Sequence, residues 1–460
     1  MTIARSSIVC ASLIAAGLLG GCFSAEVARD LPCSNDATCG PDLSCIFGYC
    51  RDPGTDPMAT CGDGQTAQGE FCFPESTEVE VGFVGTLRDA VWADFDGNGY
   101  VDALTVSEAL DLQLNGGDRT FESINIELVF TAEDIRALGV ELQDPPMPPV
   151  EQIFVAAQPR TGASGNFSGD SLPDVVLAME FVSNSDALVV TEGLGRLNNH
   201  LWIGVNDKAS DLMLLPTVDS DFEATRLIGP RSLVAGDFDG DGNGDVVAQI
   251  ATGSGAEAVM MRGSGNSSLS NPIPLPLTTA NPLSVGDFNA DGIDDLAAYD
   301  AQVASFSVVL GPLDGPDEVP VPQTFSLPMS PSALELADLD GDGNLDILVG
   351  FGEEGLAMQP WLGDGAGEFV EGPLSTTADT SPLITLATTD FDGDGNLDVV
   401  TSSNDGLFIH PGYGEGEFGT GFALRDVPTT LVESFQLDSD TAPDIITFSP
   451  NRAALLFGDP

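Results

Sequence analysis

Positive charge is almost missing from this chain: Lys208 is the single lysine, and Lys and Arg together number 14 against 72 Asp and Glu. The formal charge of −58 argues against nucleic acid, or an anionic membrane face, as a partner held through basic patches. Histidine is as scarce, with only His200 and His410. His410 follows an apolar run and reads as a turn or packing residue. No Ser stands in a Gly-x-Ser-x-Gly elbow. Gly414-Glu-Gly-Glu-Phe-Gly419 matches Gly-x-Gly-x-x-Gly in form only, since it is acidic, lies between short apolar runs and opens no helix. Cysteine is absent after Cys72, so any later staple must be metal or packing. Long apolar runs are missing as well, and the one from Ile8 to Leu19 is too short to span a bilayer comfortably.

The N-terminus still reads as exported. Arg5 supplies one positive charge, Ile8 to Leu19 a short apolar core, and small residues precede Cys22. Leu19-Gly20-Gly21-Cys22 resembles the lipobox of bacterial lipoproteins. That resemblance implies a signal peptide over 1–21 and lipidation of Cys22; the alternative is an ordinary signal peptide cut nearby. Phe23, in place of Asp, points by the Gram-negative sorting rule to the outer membrane or cell surface. Residues 22–32 read as a tether. Cys33, Cys39, Cys45, Cys50, Cys61 and Cys72 fall in the segment 33–76, an even count that implies a disulfide staple in an exported chain. Zinc fits less well, because the segment has no Cys-x-x-Cys pair and no histidine.

What the chain has in abundance is an acidic nine-residue loop. In Asp390-Phe-Asp392-Gly-Asp394-Gly-Asn396-Leu-Asp398, oxygen side chains stand at positions 1, 3, 5 and 9 and Gly at 4 and 6. Odd spacing in a tight turn aims these groups at one centre, where they repel unless a cation sits among them. Hard oxygen donors suit calcium, with a backbone carbonyl added at position 7. Further copies supply Asp94, Asp96, Asn98, Tyr100 and Asp102; Asp237, Asp239, Asp241, Asn243 and Asp245; and Asp338, Asp340, Asp342, Asn344 and Asp346. Asp287, Asn289, Asp291, Ile293 and Asp295 form a fifth, with Ala290 at position 4. These loops would hold about five calcium ions. Asp-Gly turns also form hairpins without metal, but turn formation alone does not ask for acids at both positions 1 and 9. Weaker copies begin at Asn166 and Gln436.

The copies start at 94, 166, 237, 287, 338, 390 and 436, and spacings near 50 signal a repeat architecture. Around the copy at 237, short β-branched apolar runs bounded by Gly, Pro or Asn read as four antiparallel strands, with the acidic loop joining the first two. Gly-rich turns such as Gly363-Asp-Gly-Ala-Gly-Glu-Phe369 separate the third and fourth. Together the Asp-Phe-Asp-Gly-Asp-Gly loops and Gly-x-Gly-x-Phe turns resemble FG-GAP/VCBS repeats, the units of calcium-binding propellers such as the integrin α head. The resemblance implies an all-β fold, a seven-bladed β-propeller over 77–460, preceded by the small disulfide-rich segment. The last repeat is one strand short, and Glu78-Val-Glu-Val-Gly-Phe83 is predicted to complete it and close the ring.

The two long spacings mark insertions. One carries Thr131 to Leu138, a predicted short helix capped by Thr131; the other covers about 192–230 and contains His200, Trp202 and Lys208. The expected function is a lipid-anchored, calcium-binding surface scaffold for adhesion to a protein or a polysaccharide, not an enzyme. The alternatives are a lyase or glycosidase built on a calcium propeller, and a structural component of an envelope complex.

Overall fold

A computed structural model of the chain describes residues 71–73, 79–81 and 86–458, apart from connecting segments at 82–85, 127–128, 131–154, 184–200, 207–211, 217–231, 253–254, 278–282, 314–320, 353–357, 376–380, 426–428 and 450–451. Before residue 71 it describes only residues 9–10, 22–23, 44–46 and 49–51. The expected helix from Thr131, His200, Lys208, and the side chains of Cys22, Cys33, Cys39, Cys45, Cys50 and Cys61 lie outside the described residues. Cys72 is described and is disulfide-bonded.

Seven antiparallel sheets follow one another along the chain, and they are the blades of a propeller. Blade 1 consists of Asp89–Ala93, Asp102–Val106, Leu110–Asn115 and Phe121–Ile126, paired in sequence order. Blades 3 to 6 repeat this order; blade 2 adds Val129–Phe130 as a fifth strand beside its first, Val155–Gly165. The second strand of each blade is buried on both faces. Asp346–Phe351 is buried throughout, which is why it reads Asp-Ile-Leu-Val-Gly-Phe without polar alternation. Alternate residues then serve opposite neighbours: Val175, Leu177 and Met179 pack toward blade 1, whereas Val176 and Ala178 pack toward blade 3.

Blade 7 combines Leu431–Phe435, Asp444–Ser449 and Arg452–Leu456 with Val79–Val81 from the N-terminal side. Val81, Glu80 and Val79 lie opposite Ala453, Ala454 and Leu455. This is the predicted closure, and it covers the edge that Arg452–Leu456 would otherwise present. The propeller packing also starts earlier than residue 77. Phe71 and Phe73 are buried between blades 6 and 7, edge-on to Phe422 at 5.2 Å and Phe391 at 5.6 Å. Two phenylalanines flanking a disulfide-bonded cysteine thus wedge the end of the Cys-rich segment into the ring. Trp202, expected on an insertion, instead lies in the third strand of blade 2, Leu201–Asn206, and is buried in the core shared with blade 1. Its apolar surface outweighs the loop-like sequence around it.

Candidate metal centres

The acidic loop joins the first and second strands of every blade, so the like topology of the blades sets all seven copies on one face of the ring. Position 9 is fixed first. Asp102, Asp174, Asp245, Asp295, Asp346, Asp398 and Asp444 are all fully buried. In each, one carboxylate oxygen accepts the N–H of position 2, at 2.8 Å from Phe95 to Asp102 and 2.7 Å from Leu339 to Asp346. The other accepts an N–H just after or at the end of the third strand, at 2.7 Å from Asn115 to Asp102 and 2.6 Å from Gly363 to Asp346. The same pair of bonds is made in the weak copies, at Asp174 and Asp444. Position 9 is therefore a brace between three strands in all seven blades, a role that sequence reasoning missed.

Position 1 folds the loop. Both oxygens of Asp338 accept backbone N–H groups, from Gly341 at 2.8 Å and Gly343 at 3.0 Å. Asp94, Asp237, Asp287 and Asp390 accept in the same way. The glycines at positions 4 and 6 take left-handed φ angles, such as 77° at Gly341 and 90° at Gly343. Ala290 keeps that conformation, with φ of 56°, so the loop at 287 retains its shape without the glycine. Acids at positions 1 and 9 are thus used by the loop whether or not a cation is present.

What the loops bring together is narrower than the spacing suggested. In four of them one oxygen from each of positions 1, 3 and 9 lies within 4.8 Å of the others: Asp94, Asp96 and Asp102; Asp237, Asp239 and Asp245; Asp338, Asp340 and Asp346; Asp390, Asp392 and Asp398. Position 5 does not belong to these sets. Asp241, Asp342 and Asp394 instead accept the N–H of position 7, at 2.8 Å from Asn243, Asn344 and Asn396. Asn98 and Asp291 do the same for Tyr100 and Ile293. The expected fourfold convergence is replaced by a triad. Position 3 closes the same kind of Asx turn, accepting the N–H of position 5, and still has an oxygen in the triad. At 287 the third member is an amide, and Asn289 donates to Asp291 at 3.0 Å.

Burial dominates the electrostatics. It pushes Asp102, Asp295 and Asp346 up to about 6, and Asp245 and Asp444 up to about 7, against the lowering effect of their backbone hydrogen bonds. Asp398 is raised as well, by burial first and by Asp392 next. Three oxygens of like charge at this separation, one in a desolvated position, fit a hard cation by donor type and by the repulsion it would relieve. Among the described residues no basic side chain pairs with the triads at 94 and 338. The triad at 237 has Arg262 beside it, with Nε 3.5 Å from Asp239.

Neighbouring loops are tied to one another. The carbonyl at position 2 accepts a hydrogen bond from the next blade: Phe95 from the Asn206 amide at 2.7 Å, Phe167 from Ser267 N–H at 2.8 Å, Phe238 from Leu313 N–H at 2.7 Å. His410 takes no part; it is buried in blade 6, with Nε2 3.2 Å from the Thr401 hydroxyl and Nδ1 3.3 Å from the Gly419 carbonyl.

With fold and loops in view, the chain is defined as a seven-bladed β-propeller. The family model described as FG-GAP-like repeat matches residues 338–401, from the acidic loop of blade 5 into the second strand of blade 6. No curated protein matches the chain. Among solved structures it is similar to BBS1N in complex with ARL6DN, at 11% identity and a TM-score of 0.45 over 84% of this chain and 96% of that one. It is similar to an Agrocybe aegerita lectin specific for non-reducing terminal N-acetylglucosamine, at 15% identity and a TM-score of 0.38 over 80% and 86%. The exotype rhamnogalacturonan lyase YesX gives 13% identity and a TM-score of 0.44 over 83% and 76%.

Proposed function

We propose that the chain is an exported, lipid-anchored surface protein whose propeller is a calcium-stabilised scaffold for binding a protein or a polysaccharide, and that it performs no catalysis. The observation that carries the metal part is the four Asp triads on one face of the ring. Calcium would bind the oxygens of positions 1 and 3, relieve their repulsion against the desolvated position 9, and fix the crossover between the first two strands. The loop at 287 is the fifth candidate, through Asp287, Asn289, Asp291 and Asp295. An extracellular calcium module binds with Kd on the order of 10⁻⁴ to 10⁻³ M. At tenfold excess over Kd each occupied loop adds about 1.4 kcal/mol. Lipidation at Cys22 and an outer-membrane address are supported by the lipobox and Phe23. A rigid, acidic disc with few titratable catalytic groups supports binding over chemistry.

Thermal unfolding of the full chain, in calcium and in chelator, tests this reading. A midpoint that rises with calcium, with several ions bound per chain, is expected. Screening glycans and surface proteins in calcium then addresses the ligand. No shift and no bound calcium would remove the metal while leaving the propeller intact.

A further inference from the structure

The seventh loop differs from the others in what faces its acids. Its position 1 is Gln436, whose amide donates to the carbonyls of Asp438 and Asp440 at 3.3 and 3.1 Å, so it brings a donor where the other loops bring a carboxylate. Opposite stands Arg119, from the turn between the third and fourth strands of blade 1. Its Nε lies 2.5 Å from Asp438 and its Nη2 lies 2.9 Å from Asp440. Nη2 also donates to the Gly458 carbonyl at 3.2 Å, and the guanidinium rests on the Phe457 ring, 5.0 Å from its centroid. Asp438 is 5% exposed and Arg119 33%, so the carboxylate is buried under a half-buried guanidinium.

The backbone explains how an arginine from another blade arrives there. Arg119 occupies the same place in its turn as Ser267, Gly367 and Gly416, two residues before Phe121, Leu269, Phe369 and Phe418 respectively. All four have left-handed φ, between 63° and 85°. These turns lean over the loop of the preceding blade: Ser267 donates to Phe167 and Gly416 to Leu339. In blade 1 the preceding blade is blade 7, and the Asn115 amide already donates to the Leu437 carbonyl at 2.8 Å. Glycine is the residue this conformation favours, so a long charged side chain is retained there against its backbone preference.

We infer that Arg119 is the built-in cation of the seventh loop: its fork answers the acids at positions 3 and 5, where the other repeats gather oxygens of positions 1, 3 and 9, and it fastens blade 1 to blade 7 where the ring closes. That loop binds no calcium, and the seam between the chain ends stays fastened when calcium is withdrawn. The comparison with the other loops rests on the calcium reading above; the fastening itself does not.

Two measurements on the full chain test it. The first is a double-mutant cycle of Arg119→Gly and Asp438→Asn in chelator, read by amide hydrogen exchange of residues 436–444. Arg119→Gly relieves the left-handed φ, yet it should lower protection roughly tenfold, and Asp438→Asn should add little in that background. Arg119→Lys, which keeps the charge without the fork, should fall between and serves if Asp438→Asn does not fold. Additive effects, or unchanged protection in Arg119→Gly, would overturn the inference. The second is calcium bound per chain: Asp438→Asn should leave it unchanged, and loss of an ion would overturn the inference equally. If the unaltered chain binds no calcium, the metal reading fails alone and the cycle in chelator still decides the role of Arg119.

Discussion

Asp174→Ala isolates the brace from the metal. Asp174 stands in the loop at 166, where no triad forms, and its carboxylate accepts N–H groups from Phe167 at 2.9 Å, Ser168 at 2.7 Å and Asn206 at 2.9 Å. Each hydrogen bond to a charged acceptor contributes about 1.5–3 kcal/mol, and truncation also leaves these donors buried without a partner. The three share one carboxylate and its desolvation opposes them, so the net cost should be about 4 kcal/mol rather than their sum. It should be the same in calcium and in chelator. Asp346→Ala removes two such bonds, from Leu339 at 2.7 Å and Gly363 at 2.6 Å, together with one member of a triad. Its cost should be about 3 kcal/mol in chelator and about 1.4 kcal/mol more at tenfold calcium excess. Urea unfolding of the two variants, each with and without calcium, gives all four numbers. A cost below about 1 kcal/mol for Asp174→Ala would refute the brace. An equal calcium dependence in both variants would refute the assignment of a metal to the loop at 338 and none to the loop at 166.

The raised carboxyls set a pH dependence. Folding lifts Asp102, Asp245, Asp295, Asp346 and Asp444 from 3.8 to about 6 or 7, so between about pH 4 and 7 the folded chain holds protons that the unfolded chain has released. Stability in metal-free buffer should thus be highest near pH 4 and fall as pH rises toward 7; calcium, replacing the proton, should flatten that fall. A metal-free melting midpoint that rises between pH 4.5 and 7.5 would contradict this. Deleting residues 78–84 removes Val79–Val81 and bares Arg452–Leu456 as an edge, so size-exclusion chromatography should show aggregates in place of monomer. Phe73→Ala empties a site buried against Phe391 and should cost about 3 kcal/mol in thermal or urea unfolding, although residue 73 lies in the segment read as a separate Cys-rich module.

Blade number and closure were legible because both depend on features local in sequence. A nine-residue loop carries its own chemistry, and a terminal repeat lacking a strand states what must complete it. Longer-range features were not legible. The brace made by Asp102 leaves no trace in sequence beside its metal-ligand pattern, because the N–H groups it accepts come from Phe95 and Asn115, and backbone donors leave no mark in side-chain identity. Arg119 reads as an ordinary turn residue, since its acidic partners lie more than 300 residues away. A signal existed in both cases. Asp stands at position 9 in the two weak copies, where position 1 is only an amide, and Arg119 occupies a place that Gly fills in blades 5 and 6.

These two signals together separate the loop into layers. The bond between positions 2 and 9 persists in all seven copies, and the position-2 carbonyls of Phe95, Phe167, Phe238, Leu339 and Leu437 also reach the next blade. Positions 1 and 3 decide what the loop does with its remaining charge. With carboxylates at both, the oxygens converge and ask for a cation from solution. Where position 1 is Asn166 and position 3 Ser168, the demand disappears and the brace remains. Where position 1 is Gln436 and acids persist at 3 and 5, the residual charge is met by an arginine from the adjoining blade. A repeat without carboxylates at positions 1 and 3 can therefore keep its blade, because the N–H groups that position 9 accepts do not depend on them. The seam of the ring is the place where that independence matters most: there the strands come from opposite ends of the chain, and a guanidinium covalently fixed in blade 1 cannot be diluted or chelated away.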